Sequence, residues 1–147
     1  MNGPVMRFVA WLVFLTTVGC NRDMPFELVP VQGKVTYEDG SLIPADSILV
    51  TFNPINSGTI GKIAPPGGQT SVNVQDGTFS AVSSHRANDG VVVGQHKVVV
   101  VSFKKGANGN PVPSDAVPAI YRKLATTPLE IEVDSNNQFL ELKLSKQ

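Results

Sequence analysis

Three side chains carry most of the chemistry that this sequence offers: its single cysteine, Cys20, and its two histidines, His85 and His96. A cysteine can act as a nucleophile, bind a metal or accept a lipid, and a histidine can transfer protons near neutral pH. A serine nucleophile would need a histidine oriented by a carboxylate, and His85 near Asp89 is the nearest such arrangement. We interpret His85 as a solvated loop residue and His96 as a packed strand residue. No catalytic residue is therefore predicted. Two histidines also make no convincing zinc site, so no metal site or cofactor is predicted.

Cys20 stands where an apolar segment, residues 8–19, gives way to polar sequence. The segment is shorter than the roughly 20 residues that cross a bilayer. Since Arg7 precedes it, it has the layout of a secretory signal that is removed, whether translation begins at Met1 or at Met6. One cysteine in an exported chain cannot form an internal disulfide. A lipid therefore explains Cys20 better than a free thiol does, and an ordinary signal peptide with an incidental cysteine is the alternative.

The cysteine closes a short run that resembles a bacterial lipobox, Leu15-Thr16-Thr17-Val18-Gly19-Cys20. The resemblance implies that the cysteine is alkylated by diacylglycerol and becomes the new N-terminus after cleavage behind Gly19. Thr17 departs from the pattern, which usually has Leu there. The two or three acyl chains of a lipoprotein make a stable anchor, whereas one chain binds only marginally. We predict a signal peptide over residues 1–19, a lipidated cysteine and tether over 20–30, and one folded domain over 31–147.

The charge of the chain limits the kinds of partner that it can bind. The 147 residues carry 12 Lys and Arg against 12 Asp and Glu, and removal of residues 1–19 takes away one positive charge, Arg7. Nucleic acid binding requires clustered basic residues that neutralise phosphates, and a pair such as Lys104-Lys105 is too short for this. We therefore predict no nucleic acid partner, and a membrane contact through the lipid anchor rather than through a polybasic patch.

Alternation of apolar and polar residues predicts strands along most of the remaining chain. The predicted strands are Val31–Tyr37, Ser47–Phe52, a short edge strand over Thr59–Ile63, two runs within Ser71–Val82, Gly94–Phe103, Leu129–Val133 and Phe139–Leu144. Within Gly94–Phe103, the unbroken apolar run Val98–Val101 predicts a central strand that is covered on both faces.

Turn residues predict how these strands connect. Asp76-Gly77 favours a type I′ turn with Gly77 at positive φ, so the two runs beside it are expected to form a tight hairpin. The last two strands are expected to form a second hairpin around Asp134–Asn137. Pro118 favours a helical turn over Ala119–Leu124. Lys104–Val117, rich in Pro and Gly, is expected to be a long mobile loop.

These elements indicate an all-β fold, a single antiparallel sandwich of six to eight strands of the prealbumin or immunoglobulin-like kind. The strand and turn sequences resemble the carboxypeptidase regulatory-like, transthyretin-like β-sandwich, and more narrowly small lipoproteins of planctomycete-type bacteria. The residues that carry the resemblance are Val31–Tyr37, Asp39-Gly40, Ile48–Phe52, Asp76–Phe79, Gly94–Val100 and Pro118–Tyr121. Such motifs specify fold better than activity.

The function predicted for this sandwich is that of a non-catalytic, membrane-anchored module of the cell envelope, with an envelope protein or a glycan as its partner. Loops free of packing are where recognition is expected, and Lys104–Val117 is the longest. The candidate binding residues are Asn108, Asn110, Ser114, Asp115 and Tyr121.

Two other function classes stay open as alternatives. The first is a glycan- or calcium-binding domain, but Tyr37 and Tyr121 are expected to be packed rather than displayed. The loop carboxylates show no dense calcium motif; they are Asp39, Asp46, Asp76 and Asp89. The strand phenylalanines are expected in the core; they are Phe52, Phe79, Phe103 and Phe139. The second is a transthyretin-like hydrolase, which would end in Tyr-Arg-Gly-Ser, an ending that this chain lacks.

Overall fold

A computed structural model describes residues 24–136 and 139–146. The elements in these residues are β1 (Leu28–Val29), β2 (Gln32–Tyr37), β3 (Ser47–Pro54), β4 (Gly68–Val72), β5 (Thr78–Phe79), β6 (Val91–Val92), β7 (Gly94–Lys105), β8 (Pro111–Ser114), a 3-10 helix η1 (Ala119–Arg122), β9 (Glu130–Val133) and β10 (Phe139–Leu144). The all-β prediction is confirmed. The strands outnumber the six to eight expected, since β1, β5 and β6 have only two residues each. No helix in this part of the chain is long and apolar enough to cross a membrane.

Two main sheets enclose the core. The larger has five strands, in which β4, β3 and β7 follow one another and both β8 and β9 pair with the other edge of β7. The smaller has the order β10-β2-β5, and β1 and β6 form a separate short ribbon. β3 and β7 pair over their whole common length, from Ser47 opposite Phe103 to Pro54 opposite His96. β7 is thus the central strand of the larger sheet, as predicted.

The two faces of β7 differ in burial. Val98 and Val100 are fully buried, while Val99 and Val101 on the other face are partly exposed. The prediction that this run is covered on both faces is wrong, because the second sheet packs on one side only. Phe103 lies on the same outer face, partly exposed.

The assignment of phenylalanines to the core is half correct. Phe52 and Phe79 are buried and contact each other, with ring centroids 6.0 Å apart. Phe139, by contrast, is 51% exposed. The inward side chains of β10 are its leucines, Leu140, Leu142 and Leu144, so Phe139 falls on the solvent face of the alternation.

The last two strands do not form the predicted hairpin. β9 pairs with β7 in the larger sheet, whereas β10 pairs with β2 in the smaller one, in parallel. The connection therefore crosses from one sheet to the other. β2 and β10 make one parallel pair in a sandwich that is otherwise antiparallel. Gly33 permits this pairing, since a Cβ there would lie 2.1 Å from the carbonyl oxygen of Leu140.

The turn at Asp76-Gly77 also joins two sheets. Gly77 has the predicted positive φ, 78°, but Asp76 does not, so the turn is not type I′. β4 pairs with β3 and β5 with β2, which makes the tight hairpin prediction wrong. A wider loop replaces it: Asn73 accepts the N–H of Gly77, and an Asp76 carboxylate oxygen accepts the N–H of Thr78.

The segment expected to be a mobile loop, 104–117, is ordered by pairing and burial. Residues 111–114 form β8 on the edge of β7, and Ser114 is 4% exposed. The hydroxyl of Ser102 donates to the Ser114 carbonyl at 3.0 Å and accepts the N–H of Val117 at 3.2 Å. The helical turn predicted after Pro118 is present as η1.

The registers define two ends of the sandwich. β7 begins at the end where β3 finishes. Phe52, near the end of β3, contacts Phe79, which pairs with Gly33 near the start of β2. β2 and β10 therefore start at this end as well, and β1 enters there. We call this the tether end; it carries the loops of residues 55–67 and 83–90. The far end carries the loops 38–46, 73–77 and 106–110. The first strand begins at Leu28, inside the segment predicted as tether.

Replacing Gly77 with valine tests the turn. Beyond the positive φ, a Cβ at residue 77 would lie 2.7 Å from the carbonyl oxygen of Val35. We expect Gly77→Val to lower the free energy of unfolding by about 1–3 kcal/mol, measured by urea unfolding. Gly58→Val is the control, because a Cβ there meets nothing within 4 Å and φ is not positive. Equal midpoints for the two variants would contradict the geometry of this turn.

Candidate functional site: a polar groove at the tether end

A groove of about 400 Å³ opens beside the outer edge of β4. Its floor is formed by Thr51 and by the glycines that lead into β4, and its wall by the loop 83–87. A single antiparallel pair of backbone hydrogen bonds, between Gln69 and Ser83, joins floor and wall. Six of the nine residues that line it have polar side chains, and the side chains of Gln69, His85 and Arg86 are exposed.

Asp89 builds the wall of this groove. Its carboxylate accepts the backbone N–H groups of Ser84, His85 and Arg86 at 2.8, 3.0 and 2.6 Å. Burial raises the pKa of Asp89, but the three N–H donors outweigh burial and bring the pKa below its ordinary value. The following glycine, Gly90, has a φ of 94° and lies against β1. Asp89 thus fixes the backbone that presents His85 and Arg86.

The groove offers recognition chemistry of a simple kind. A guanidinium, an imidazole, an amide and two hydroxyls, from Arg86, His85, Gln69, Thr51 and Ser83, line one open surface. Such groups suit a polar or anionic ligand. Among the described residues, neither histidine ring bonds to a carboxylate, which is the contact that orients a catalytic histidine. His85 is exposed, as predicted for a loop residue.

His96 is the most unusual polar side chain of the core. It is fully buried, and its Nε2 donates to the carbonyl oxygen of Val92 at 2.7 Å. Its Nδ1 has no hydrogen-bond partner, and Phe52 meets the ring edge-on at 6.4 Å between centroids. Burial lowers the pKa of His96 below its ordinary 6.5, although the bond to Val92 and the charge of Glu132 act in the opposite direction. His96 is therefore neutral in the folded protein at neutral pH.

The predicted binding residues do not form one site. Asn108 and Asn110 are exposed in the far-end turn, whereas Ser114 is buried and unavailable to a ligand. Asp115 is exposed and pairs with Arg122 at 3.0 Å. Ser114 and Tyr121, both predicted as binding residues, are buried in this structure. Tyr121 is 5% exposed, and its hydroxyl bonds to the Ser145 hydroxyl at 2.8 Å.

A second concavity, of about 280 Å³, lies beside Asp115. Tyr37 lines it, but this ring is 7% exposed, and the Lys146 ammonium lies over it at 4.9 Å from the centroid. The Tyr37 hydroxyl donates to the carbonyl of Ala116. Lys146 also forms an ion pair with Asp39. Neither tyrosine is therefore open for stacking on a sugar, as expected.

Two of the loop carboxylates serve as turn residues, since Asp39 bonds to Ser41 and Asp76 to Thr78. Asp46 instead accepts the backbone N–H of Lys105, 59 residues away along the chain. Within residues 24–136 and 139–146, no three His, Cys, Asp or Glu side chains are grouped to hold a metal ion.

Comparison with family models, curated proteins and solved structures found no match to this chain.

The sequence contained a signal for the groove that its interpretation missed. Recognition is predicted at 104–117 because that segment is the longest loop, and no binding role is predicted for the polar stretch through Asn88-Asp89-Gly90. The signal is an aspartate within a polar loop, because such a carboxylate can accept backbone N–H groups. Which N–H groups Asp89 accepts, those of residues 84–86, does not follow from the sequence. Thr51 and Gln69 could not be added from sequence, since only the sheet brings them to this loop.

Asp89→Ala should loosen the groove wall. The change leaves three N–H groups without their acceptor, so we expect the free energy of unfolding to fall by about 1–3 kcal/mol. Asp115→Ala is the matched control: that side chain is 94% exposed, and loss of such an ion pair costs no more than about 1 kcal/mol. Calorimetric melting of both variants measures the difference, and an Asp89 variant as stable as the control would refute this role.

Burial of neutral His96 makes stability depend on pH. The unfolded chain takes up a proton as pH falls below 6.5 and the folded protein resists it, so the stability from this residue is complete above pH 6.5 and is lost below it. The slope of the unfolding free energy against pH approaches about 1.4 kcal/mol per pH unit when one proton is taken up on unfolding. We expect His96→Gln to flatten the unfolding free energy between pH 6.5 and 5.5, whereas His85→Gln keeps the slope. Identical slopes in the two variants would show that His96 does not control it.

Proposed function

We propose that this protein is a lipid-anchored β-sandwich of the bacterial cell envelope, with Cys20 as the lipidated residue and the folded domain as a structural or interaction module. The observation that carries the proposal is the position of the single cysteine. Cys20 ends a lipobox-like run and stands eight residues before β1. Eight extended residues reach at most about 29 Å. A lipid on Cys20 would therefore hold the sandwich close to the membrane surface.

The arrangement of the sandwich supports a module that projects from a membrane. The chain enters at the tether end, and β7 runs from that end to the far end over 12 residues. The far-end loops 38–46, 73–77 and 106–110 would face away from the bilayer. Their exposed side chains include Asn108, Asn110 and Asp76, so this end is the one that a soluble partner reaches first.

The side-chain chemistry favours binding over catalysis. His96 is buried in the core. His85 lies in the groove wall, where the Asp89 carboxylate accepts three backbone N–H groups. A nucleophile would need a base oriented by such a carboxylate. Exposed polar side chains on a loop that a rigid scaffold holds can bind a ligand without that arrangement.

Cys20→Ser tests the proposal. We expect the variant to leave the membrane fraction or to accumulate as the uncleaved precursor, because serine cannot carry the thioether-linked lipid. Thr17→Leu is the control, since it brings the sequence closer to the lipobox pattern and should be processed at least as well as the parent.

Fractionation and intact mass measure both variants. A Cys20→Ser protein that fractionates with the membrane and has the same processed mass as the parent, less the sulfur-to-oxygen change, would overturn the lipoprotein assignment.

A further inference from the structure

A small turn at the tether end displays two large apolar side chains. Ile60 and Ile63 are 49% and 48% exposed. Each donates its backbone N–H to the carbonyl of the other, at 3.0 and 3.1 Å. Gly61 and Lys62 close the turn, with φ at Gly61 of 64°, as in a type II′ turn. The edge strand predicted over Thr59–Ile63 is thus reduced to this turn.

The pairing puts both isoleucines on one side of the turn. Residues directly opposite each other in an antiparallel pair project to the same face. Neither side chain belongs to the core or to the residues packed against it. Residues 59–64 are all exposed, so the turn stands out from the sandwich. Two adjacent exposed isoleucines on such a projection are unlike the scattered apolar residues of an ordinary surface.

The charge around the turn is compatible with a lipid surface. Lys62, at its tip, is the one charged residue between Asp46 and Asp76. A lysine can bury its stem beside apolar groups and keep its ammonium among phosphates. No carboxylate in this stretch would oppose contact with lipid phosphates.

The position of the turn indicates which surface it contacts. The loop 55–67 leaves β3 after Pro54, which pairs with His96 at the start of β7. β1 enters at the same end, because it pairs with β6, and β6 ends two residues before β7 begins. The tether of eight residues reaches at most about 29 Å. Of the exposed surfaces, the tether end is therefore the one held nearest the bilayer.

We propose that the Ile60–Ile63 turn docks on the phospholipid surface that receives the anchor, with its two isoleucines inserted at the boundary between headgroups and acyl chains. The inference rests on the proposed lipidation of Cys20. The anchor supplies attachment, and the turn orients the sandwich, because tethering raises the local concentration of lipid around it. Phe139 is a third exposed apolar side chain at this end.

The test places a fluorescent probe at the tip of the turn in the full, lipidated protein. Lys62→Cys provides one thiol for an environment-sensitive dye, since Cys20 is consumed by the lipid. In phosphatidylcholine vesicles we expect a blue shift and quenching by acyl-chain quenchers. Asn108→Cys, at the far end, should show neither. Adding Ile60→Ser and Ile63→Ser to Lys62→Cys should abolish the shift while leaving the melting temperature unchanged.

The outcomes separate the two proposals. Intact mass first establishes whether Cys20 carries lipid; if it does not, the proposed function fails and the docking inference fails with it. If the lipid is present and the probe at position 62 behaves like the probe at 108, or keeps its shift without the isoleucines, the docking inference is overturned while the anchor stands.

Discussion

The pairing of β3 with β7 is the constraint on which the rest of the sandwich depends. Eight consecutive residue pairs join them, and β7 then offers its other edge to β8 at one end and β9 at the other. The same strand supplies Val98 and Val100 to the core, where each fully buried side chain of this size contributes about 1.5–3 kcal/mol relative to exposure. Because β7 is longer than any other strand described, it also sets the direction of the sandwich. The tether end and the far end are its two termini.

Buried hydroxyl groups hold the segment between β7 and β9 in place through hydrogen bonds to the backbone. Ser102 ties β8 and the following backbone to the centre of the sheet. Between β8 and β9, the hydroxyl of Thr127 donates to the carbonyl of Val98 at 2.6 Å. Tyr37 reaches from the smaller sheet to the carbonyl of Ala116. Since an unsatisfied buried group costs about 1–3 kcal/mol, these contacts hold the segment between β7 and β9 in one arrangement. They explain why a sequence rich in proline and glycine is an ordered part of the fold.

Local patterns predicted the strands and left their partners open. Alternation placed β2, β3, β7 and β10 within a few residues, and the positive φ of Gly77 followed from its place in a turn. The alternation of apolar and polar residues is the same whichever strand lies alongside. The strands of each expected hairpin were therefore predicted to pair with each other, whereas in both cases the chain crosses from one sheet to the other. The same limit applies to faces: Val99 and Phe139 alternate with core residues, but sequence alone does not say which phase is inside. Ser114 was predicted in a binding loop because the Pro- and Gly-rich sequence around it does not reveal the pairing of β8 with β7, nor the bond from Ser102 to its carbonyl.

The proposed function depends on the orientation of the sandwich, with the tether and an apolar turn at one end of β7 and polar loops at the other. Its most direct test is neutron reflectometry of the lipidated protein on a supported phospholipid bilayer. The 12 residues of β7 span about 40 Å at the rise of a strand. We expect a protein layer about as thick as that length, beginning at the headgroups. A layer of about half that thickness would mean that the sandwich lies on a sheet face, and it would contradict the account.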